Sequence, residues 1–443
     1  MITLFGHSVR SDLLGLHVAD ALLCMAAVGA LLAWQGGVSW GQGGTLALVA
    51  AGACVLFSGI SGLYRPEAFG RTRQILVGSL AAGMLLLLAV ALPAMLTLSG
   101  DERLGDHLVG ILTASVGAVL TTRLGFTVAL RRGVLDRHLA VVRGATGGEP
   151  LRSAPALRDG RFKVALDLDA AAPLAAALEP ARLRAARICA VVLTEQAEMP
   201  QELRRDVEAA GIHVLNEDEF LERAFARVDI RRLAPGWLAS SNASRETRGE
   251  VLLRRSIDIV LGLLLLLATL PLLLLTALAI KLDSRGPVFY RQERVGRDGQ
   301  IFRLLKFRSM VVDAEVGGSP VWASKADPRV TRVGRLIRLT RIDEIPQVLN
   351  VLRGDMAFVG PRPERPAFVE QLSRVIPHYA DRAIVKPGIT GWAQVNYPYG
   401  ASVEDARMKL AYDLYYVRRR SLFLDLLILI ATVRVVLFQE GSR

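Results

Sequence analysis

Apolar residues dominate four stretches in the first third of the chain, at residues 13–34, 45–63, 75–98 and 108–130. Each is close to the ~20 residues a helix needs to cross the hydrocarbon core of a bilayer. One such run is imitated by a buried helix of a soluble domain; four in succession predict a membrane-spanning helical bundle. The segments between them alternate in charge. Arg10 precedes the first run, residues 35–44 carry no charge, and Arg65, Arg71 and Arg73 follow the second. Residues 99–107 are mostly acidic apart from Arg103, and Arg131, Arg132 and Arg137 follow the fourth run. Basic segments mark the cytoplasmic side, so both ends of the bundle are expected there. The first run has no clear cleavage site and is followed by further spans, so it is expected to stay attached.

The pattern then changes. Over residues 133–232, short apolar runs at 139–142, 164–168 and 188–193 read as buried strands, with Ala-rich or amphipathic segments such as 200–210 as helices. This alternation predicts a small α/β domain with a parallel sheet. Arg143-Gly144-Ala145-Thr146-Gly147-Gly148 follows the first strand and fits either a phosphate-facing loop or a plain turn, since it is not GxGxxG. Residues 233–250 read as a linker.

Residues 251–282 are apolar again, interrupted by Pro271. Here the flanks are basic on both sides: Arg248, Arg254 and Arg255 before, Lys281, Arg285, Arg291 and Arg294 after. A spanning helix has one basic side, so a helix that enters one leaflet and turns back at Pro271 is expected. Residues 283–443 are polar and basic, with aperiodic Gly and Pro, the pattern of loops built around a site. Within them, residues 421–438 are apolar apart from Asp425 and Arg434, fitting an interfacial or a core helix.

Composition agrees with a membrane anchor joined to water-facing domains. The 443 residues are 52% hydrophobic and 22% charged, and the mean hydropathy is +0.35. A formal net charge of +12 points to nucleic acid, anionic lipid or phosphorylated substrates. No zinc finger, RNP-type aromatic motif or basic zipper is present, so nucleic acid is not an expected partner. The three cysteines, Cys24, Cys54 and Cys189, lack CxxC spacing and give neither a disulfide framework nor a zinc site.

The charge concentrates where chemistry is expected. Arg285, Arg291, Arg294, Arg297, Arg303, Lys306, Arg308, Lys325, Arg329, Arg332, Arg335, Arg338 and Arg341 crowd one segment, with few acids between them. Guanidinium forks match phosphate oxygens. The i+3 recurrence of Arg332, Arg335 and Arg338 forms one helical face, suited equally to a substrate or to lipid phosphates. Thr340-Arg341-Ile342-Asp343-Glu344-Ile345-Pro346-Gln347 comes next. Thr340 and Asp343 fit a capping box, which would make Asp343 only a helix cap. Alternatively, an ionised carboxylate among arginines can attack phosphorus, with Glu344 binding a divalent cation or managing a proton.

The C-terminal part resembles the bacterial sugar transferase family, the monotopic polyprenyl-phosphate phosphoglycosyl transferases. Gly286-Pro287-Val288-Phe289, Gln292-Glu293-Arg294-Val295-Gly296, Lys306-Phe307-Arg308-Ser309-Met310 and Asp327-Pro328-Arg329-Val330-Thr331-Arg332-Val333-Gly334 carry the resemblance. Arg341-Ile342-Asp343-Glu344-Ile345-Pro346-Gln347, Gly360-Pro361-Arg362-Pro363-Glu364 and Lys386-Pro387-Gly388-Ile389-Thr390-Gly391 complete it, in the family's order, over about residues 254–438. The layout is similar to the longer members of exopolysaccharide assembly. The resemblance therefore implies a membrane protein of α plus α/β class: a four-helix transmembrane bundle (1–132), a Rossmann-like α/β cytoplasmic domain (133–232), a linker (233–250), a re-entrant helix (251–282) and a catalytic domain (283–443).

The resemblance also implies roles. Asp343 is the nucleophile that takes the phosphosugar of a UDP-sugar and releases UMP, and undecaprenyl phosphate then attacks the intermediate in a ping-pong sequence. Glu344 is its partner, and the pair binds Mg²⁺. Lys306 and Arg308 match the basic motif lining the site, Arg362 matches a phosphate-binding position, and Pro271 is the structural hinge. Read from the residues themselves, Arg329 and Arg341 of the basic stretch are expected to bind substrate, and Asp413, in a polar-aromatic patch with Tyr415 and Tyr416, helps hold the nucleotide unless it only packs. The expected setting is the bacterial inner membrane, with the catalytic domain cytoplasmic and in contact with lipid; a homodimer is admitted. Glucose is the most frequent sugar in the family, with galactose and N-acetylated sugars as alternatives. Two positions depart from the pattern: Leu270 before Pro271 where relatives often have Ser, and Arg419-Arg420 before Ser421-Leu422 where they often have Asn-Trp. His378, Trp322 and Trp392 read as structural residues. A transporter or a nucleotide-sensing scaffold are the rival readings. The first requires intramembrane ionisable residues along a path, and only Asp20 and Arg123 stand out.

Overall fold

The structure is a computed structural model, and it describes residues 2–4, 7–9, 11–36, 38–65, 72–97, 103–144, 162–194, 197–233, 236–312, 327–398, 400 and 402–438. Residues 145–148 of the glycine-rich loop, Trp322 and Lys325 lie outside the described residues. The chain divides into two compact units, Met1–Leu4 with Ser8–Ala226, and Phe5–His7 with Arg227–Arg443. Helix predominates, with small sheets, two of which are parallel.

Two three-residue strands open the chain, β1 (Ile2–Leu4) and β2 (His7–Val9). The first unit then contains helices α1 (Ser11–Gln35), α2 (Trp40–Ile60), α3 (Thr72–Thr97) and α4 (Leu104–Arg131). α1 packs on α2 and α4, and α3 packs on the other faces of the same two. Cys24, Val28, Leu46, Ala50, Leu86, Val90 and Ile111 are buried between them. Leu80, Met84, Leu88 and Leu92 of α3 point outward and are exposed. A helix that is apolar on both its inner and outer faces requires an apolar solvent. Among the described residues, five helices are long and apolar enough to cross a membrane; four are these and the fifth lies in the second unit.

Asp20 and Arg123 meet inside this bundle, both fully buried. Arg123 Nη2 donates to Asp20 Oδ2 at 2.8 Å, and Tyr64 Oη and Thr122 Oγ1 donate to the same carboxylate at 2.6 and 2.5 Å. The two intramembrane charges that a transport path would need are thus closed on each other.

The α/β part of the first unit is built on β3 (Arg137–Arg143), β4 (Phe162–Asp169), β5 (Ile188–Leu193) and β6 (His213–Asn216). They form one sheet in the order β4-β3-β5-β6, with every pairing parallel. Helices α5 (Leu174–Ala177), α6 (Pro180–Ala185), α7 (Gln201–Ala209) and α8 (Glu217–Phe225) accompany it. Successive strand residues face opposite ways, so Ala140, Val142 and Val191 enter one core while Leu139, Val141 and Val192 enter the other. Burial on both faces explains why these strands read as continuous apolar runs. Strand β6 is only four residues long and its ends are exposed, which left no apolar run for the sequence reading to find.

In the second unit, residues 236–247 are not a free linker. They form 3-10 turns at Trp237–Ser240 and Asn242–Arg245, and Trp237 is buried. A capping box at Thr247 and Glu250 then starts α9, Arg248–Asp283. The break expected at Pro271 is absent as an interruption: α9 is helical through it. Proline removes a single donor, and the Leu- and Ala-rich turns on either side propagate the helix past it.

Both ends of α9 are fastened to the same unit. Near its start Arg255 donates to the carbonyls of Val351 and Leu352, each at 2.6 Å, and Asp258 accepts from Phe358 N at 3.0 Å. At its other end Asp283 accepts from Val333 N at 3.0 Å. A Cβ at Gly262 would lie 2.9 Å from Leu352 Cδ2, so glycine permits that close crossing. Around α9 lie the antiparallel hairpin β7 (Phe289–Val295) and β8 (Ile301–Phe307), helices α10 (Arg332–Leu339) and α11 (Val348–Arg353), and the parallel pair β9 (Ala357–Val359) and β10 (Gly388–Thr390). Helices α12 (Pro366–Val375), α13 (Trp392–Asn396), α14 (Val403–Arg419) and α15 (Leu422–Leu437) complete the unit.

Candidate active site

Asp343 and Glu344 sit in a 3-10 turn, Ile342–Gln347, between α10 and α11. The turn is entered through Arg341, whose φ of +59° is a left-handed conformation uncommon outside glycine. This geometry removes the capping-box reading. Thr340 Oγ1 donates back to Leu336 O at 2.8 Å and closes α10, and the turn has no side-chain cap. Among the described residues, the Asp343 carboxylate accepts no hydrogen bond. A buried carboxylate without a donor is destabilised in its charged form. Burial, then the neighbouring Glu344 charge, push Asp343 up to about 6, against the pull of Lys306, Arg338 and Arg341.

Glu344 has the opposite environment. Lys306 Nζ and Arg362 Nη2 both donate to its Oε1, each at 2.8 Å. Burial works to raise its pKa, but Arg362 and Lys306 together hold it well below the usual carboxylate range. Burial lowers Lys306, with Glu344 opposing that shift. Lys306 is delivered by β8, Arg362 by the loop after β9, and Glu344 by the 3-10 turn, so three separate segments meet at one carboxylate.

Asn350, fully buried, fixes two of those segments to each other. Its Oδ1 accepts from Leu305 N at 2.9 Å and its Nδ2 donates to Arg303 O at 2.8 Å, tying the strand that carries Lys306 to the helix that follows the dyad. The sequence reading missed it, although one polar residue within Val348-Leu349-Asn350-Val351-Leu352 was a visible signal.

The other expected site residues are distributed differently. Arg308 is buried and donates to Arg285 O and Ser284 O at 2.7 and 2.8 Å, closing the C-terminal end of α9 rather than facing the dyad. Arg329 holds Asp327 through Nε and Nη2 at 2.8 and 2.6 Å. Arg341 acts on Asp343 through its charge. Asp413, on α14, is buried and lies 2.7 Å from Arg382 Nη2 rather than against the dyad carboxylates. Trp392 stacks on Tyr415 at 6.0 Å, and His378 lies 2.8 Å from Asp381.

The donor set fits a magnesium ion that arrives with a phosphorylated substrate. Mg²⁺ is usually held by one or two carboxylates plus substrate phosphates and water. Asp343, together with Oε2 of Glu344, offers carboxylate oxygens to which no protein donor is bonded among the described residues. No group of three His, Cys, Asp or Glu residues suited to an all-protein metal cage occurs among them.

Residues 249–439 match the family model described as bacterial sugar transferase. The chain is 48% identical over 234 residues to the UDP-N-acetylgalactosamine-undecaprenyl-phosphate N-acetylgalactosaminephosphotransferase of Aeromonas hydrophila, covering 53% of this chain and 54% of that protein. It is 47% identical to the UDP-glucose:undecaprenyl-phosphate glucose-1-phosphate transferase of Caulobacter vibrioides, covering 43% of this chain and 71% of that one. A protein of the same name from Escherichia coli is also 47% identical, over 41% of this chain and 39% of its own length. The chain thus spans between about two fifths and about half of several of the relatives it matches.

Proposed function

The chain belongs to the bacterial sugar transferase family, and on that premise we propose that it transfers a hexose-1-phosphate from a UDP-sugar to undecaprenyl phosphate. The reaction has two half-reactions. A carboxylate oxygen of Asp343 attacks the phosphorus that bears the sugar and forms an acyl-phosphate bond. The bond from that phosphorus to the bridging oxygen breaks, and UMP leaves with the electron pair. A phosphate oxygen of the lipid then attacks the same phosphorus, the acyl-phosphate bond breaks, and the Asp343 carboxylate is restored with a diphosphate-linked lipid as product.

One observation carries this reading. Among the described residues, Asp343 is a buried carboxylate bound to no donor, beside a second carboxylate held by Lys306 and Arg362. A structural carboxylate would be hydrogen-bonded; one left unbonded is available to a substrate. Lys306 and Arg362 supply positive charge where a diphosphate would lie, which is the main requirement of phosphoryl transfer. Mg²⁺, held by Asp343 and Glu344, would neutralise phosphate charge.

The acceptor is a lipid, and the apolar helices suit it. Because both ends of α9 are tied to one water-facing unit, they belong on one side of the membrane. We place that side, with the active site, in the cytoplasm, where the basic flanks of the apolar segments belong. The four helices of the first unit span the membrane and the parallel sheet is a cytoplasmic Rossmann-like domain. The product would start assembly of a polysaccharide.

The test uses the full chain in membranes with a donor labelled in the sugar and its phosphate, across UDP-glucose, UDP-galactose and N-acetylated donors. Label is expected in the lipid fraction with one of them, and Asp343→Asn is expected to abolish transfer. Undiminished transfer by that variant would remove Asp343 from the mechanism.

A further inference from the structure

The loop that presents Arg362 is poor in donors. Its sequence is Gly360-Pro361-Arg362-Pro363-Glu364, and the two prolines contribute no N–H. Apart from Gly360 N, which donates to Thr390 O at 2.9 Å, it is held by its carbonyls. Pro361 O accepts from Gly388 N, Pro363 O from Arg294 Nη1 and Glu364 O from Val295 N, each at 2.9 Å. The carbonyl of Arg362 itself accepts from Arg382 Nη2 at 3.0 Å. Arg382 is far away in sequence, yet it fixes the backbone of the residue whose guanidinium grips Glu344.

Arg382 is oriented on every side. Its Nη1 donates to Tyr379 Oη at 3.0 Å, and its Nη2 lies 2.7 Å from Asp413 Oδ2. Its side chain is 11% exposed and that of Asp413 is 2% exposed, so water does little to loosen them. The 3-10 turn that carries Arg382, Tyr379–Ile384, begins after His378, a non-glycine residue at φ +61°. The neighbour of Arg382, Asp381, is anchored from outside the turn: its Oδ2 accepts from Trp237 Nε1 at 3.0 Å. A chain of direct contacts therefore runs from Trp237 through Asp381 and Arg382 to Arg362 and Glu344.

We propose that Arg382 is a positioning residue for Arg362, and that Trp237, in the segment leading to α9, holds Arg382 in place by fastening its turn. This rests on the transferase reading above. Arg362 must keep a fixed backbone while its guanidinium is shared between Glu344 and an incoming phosphate. A loop without its own N–H ladder gains that fixity only from outside. Arg382 does not touch the substrate in this scheme; it sets where Arg362 can reach. The stretch that reads as a linker in the sequence is then part of the support of the active site.

Two variants of the full chain test this. Arg382→Lys keeps the charge beside Asp413 but loses the planar fork that reaches three partners at once. Trp237→Phe keeps the ring and removes the N–H. Both are expected to raise hydrogen–deuterium exchange at Val295 and Gly388, whose N–H groups donate to the loop's carbonyls, and to leave the peptide over α10 unchanged. Both are expected to slow UMP release from the donor, Arg382→Lys by about tenfold, with the loss in kcat exceeding the change in KM. In an Arg362→Lys background neither is expected to slow the reaction further, because the residue they position is already altered. Unchanged exchange at both Val295 and Gly388, or an equal further loss in the Arg362→Lys background, overturns the proposal. If no UDP-sugar yields UMP with the unaltered chain, the transferase reading fails, while the exchange measurement still decides whether Trp237 and Arg382 hold the loop.

Discussion

Asp343 and Glu344 are chemically alike and adjacent, yet they have opposite environments. Glu344 is compensated by a lysine and an arginine, whereas Asp343 is buried and has no donor among the described residues. A carboxyl raised to about 6 is fully ionised only above that range. The rate of UMP release should therefore fall as pH drops through 6. Burial also pushes Asp413 up to about 6, so its protonation, which weakens the hold on Arg382, should add only a partial further loss in the same pH range. The same shift affects stability. A carboxyl whose folded pKa is raised favours the fold while protonated, and that contribution is lost as pH rises from the unfolded value through the folded one. Asp343→Asn should thus be inactive yet more stable than the parent at pH 7, by up to about 3 kcal/mol. The gain should vanish below about pH 4. Thermal unfolding at the two pH values measures it.

At the scale of elements, the arginines of the second unit divide by what they hold. Arg362 faces the dyad, and Arg308 closes the end of α9. Replacing Arg308 by Met should lower thermal stability and leave the donor KM unchanged, whereas Arg362→Met should impair kcat/KM with little change in melting. Opposite results would exchange their roles. Asn350 belongs to the same class as Arg308. Asn350→Leu leaves the Leu305 N–H and the Arg303 carbonyl without partners in a buried site, and each orphaned group costs about 1–3 kcal/mol. Denaturant unfolding should register that loss. The motif order makes the dyad and its basic neighbours legible in the sequence. It did not separate the arginine that faces the dyad from the arginine that holds backbone, because both uses need the same fork of donors.

For the whole molecule, the membrane sets the terms. The Asp20–Arg123 pair is fully buried, and removing one partner leaves the other charge uncompensated. Asp20→Asn should destabilise the first unit by about 3–5 kcal/mol, and the double change Asp20→Asn with Arg123→Met should recover most of it. Loss of donor transfer without loss of stability would instead give the pair a functional part. Cysteines placed at both ends of α9 should react only from the cytoplasmic side. A periplasmic signal from residues after Pro271 would place the active site away from its donor.

The apolar runs, the alternation of charge between them and the ordered motifs determined from sequence alone that helices of membrane length precede an α/β segment and a segment of the bacterial sugar transferase family. These are local properties: period, length and residue type are written along the chain. Tertiary structure alone decided that Thr340 closes α10 instead of capping Asp343, that α9 stays helical through Pro271, that Arg308 serves the backbone, and that Arg382 and Trp237 stand behind Arg362. Each depends on which distant groups share a buried space, and hydrogen bonds between residues remote in sequence leave no period to read.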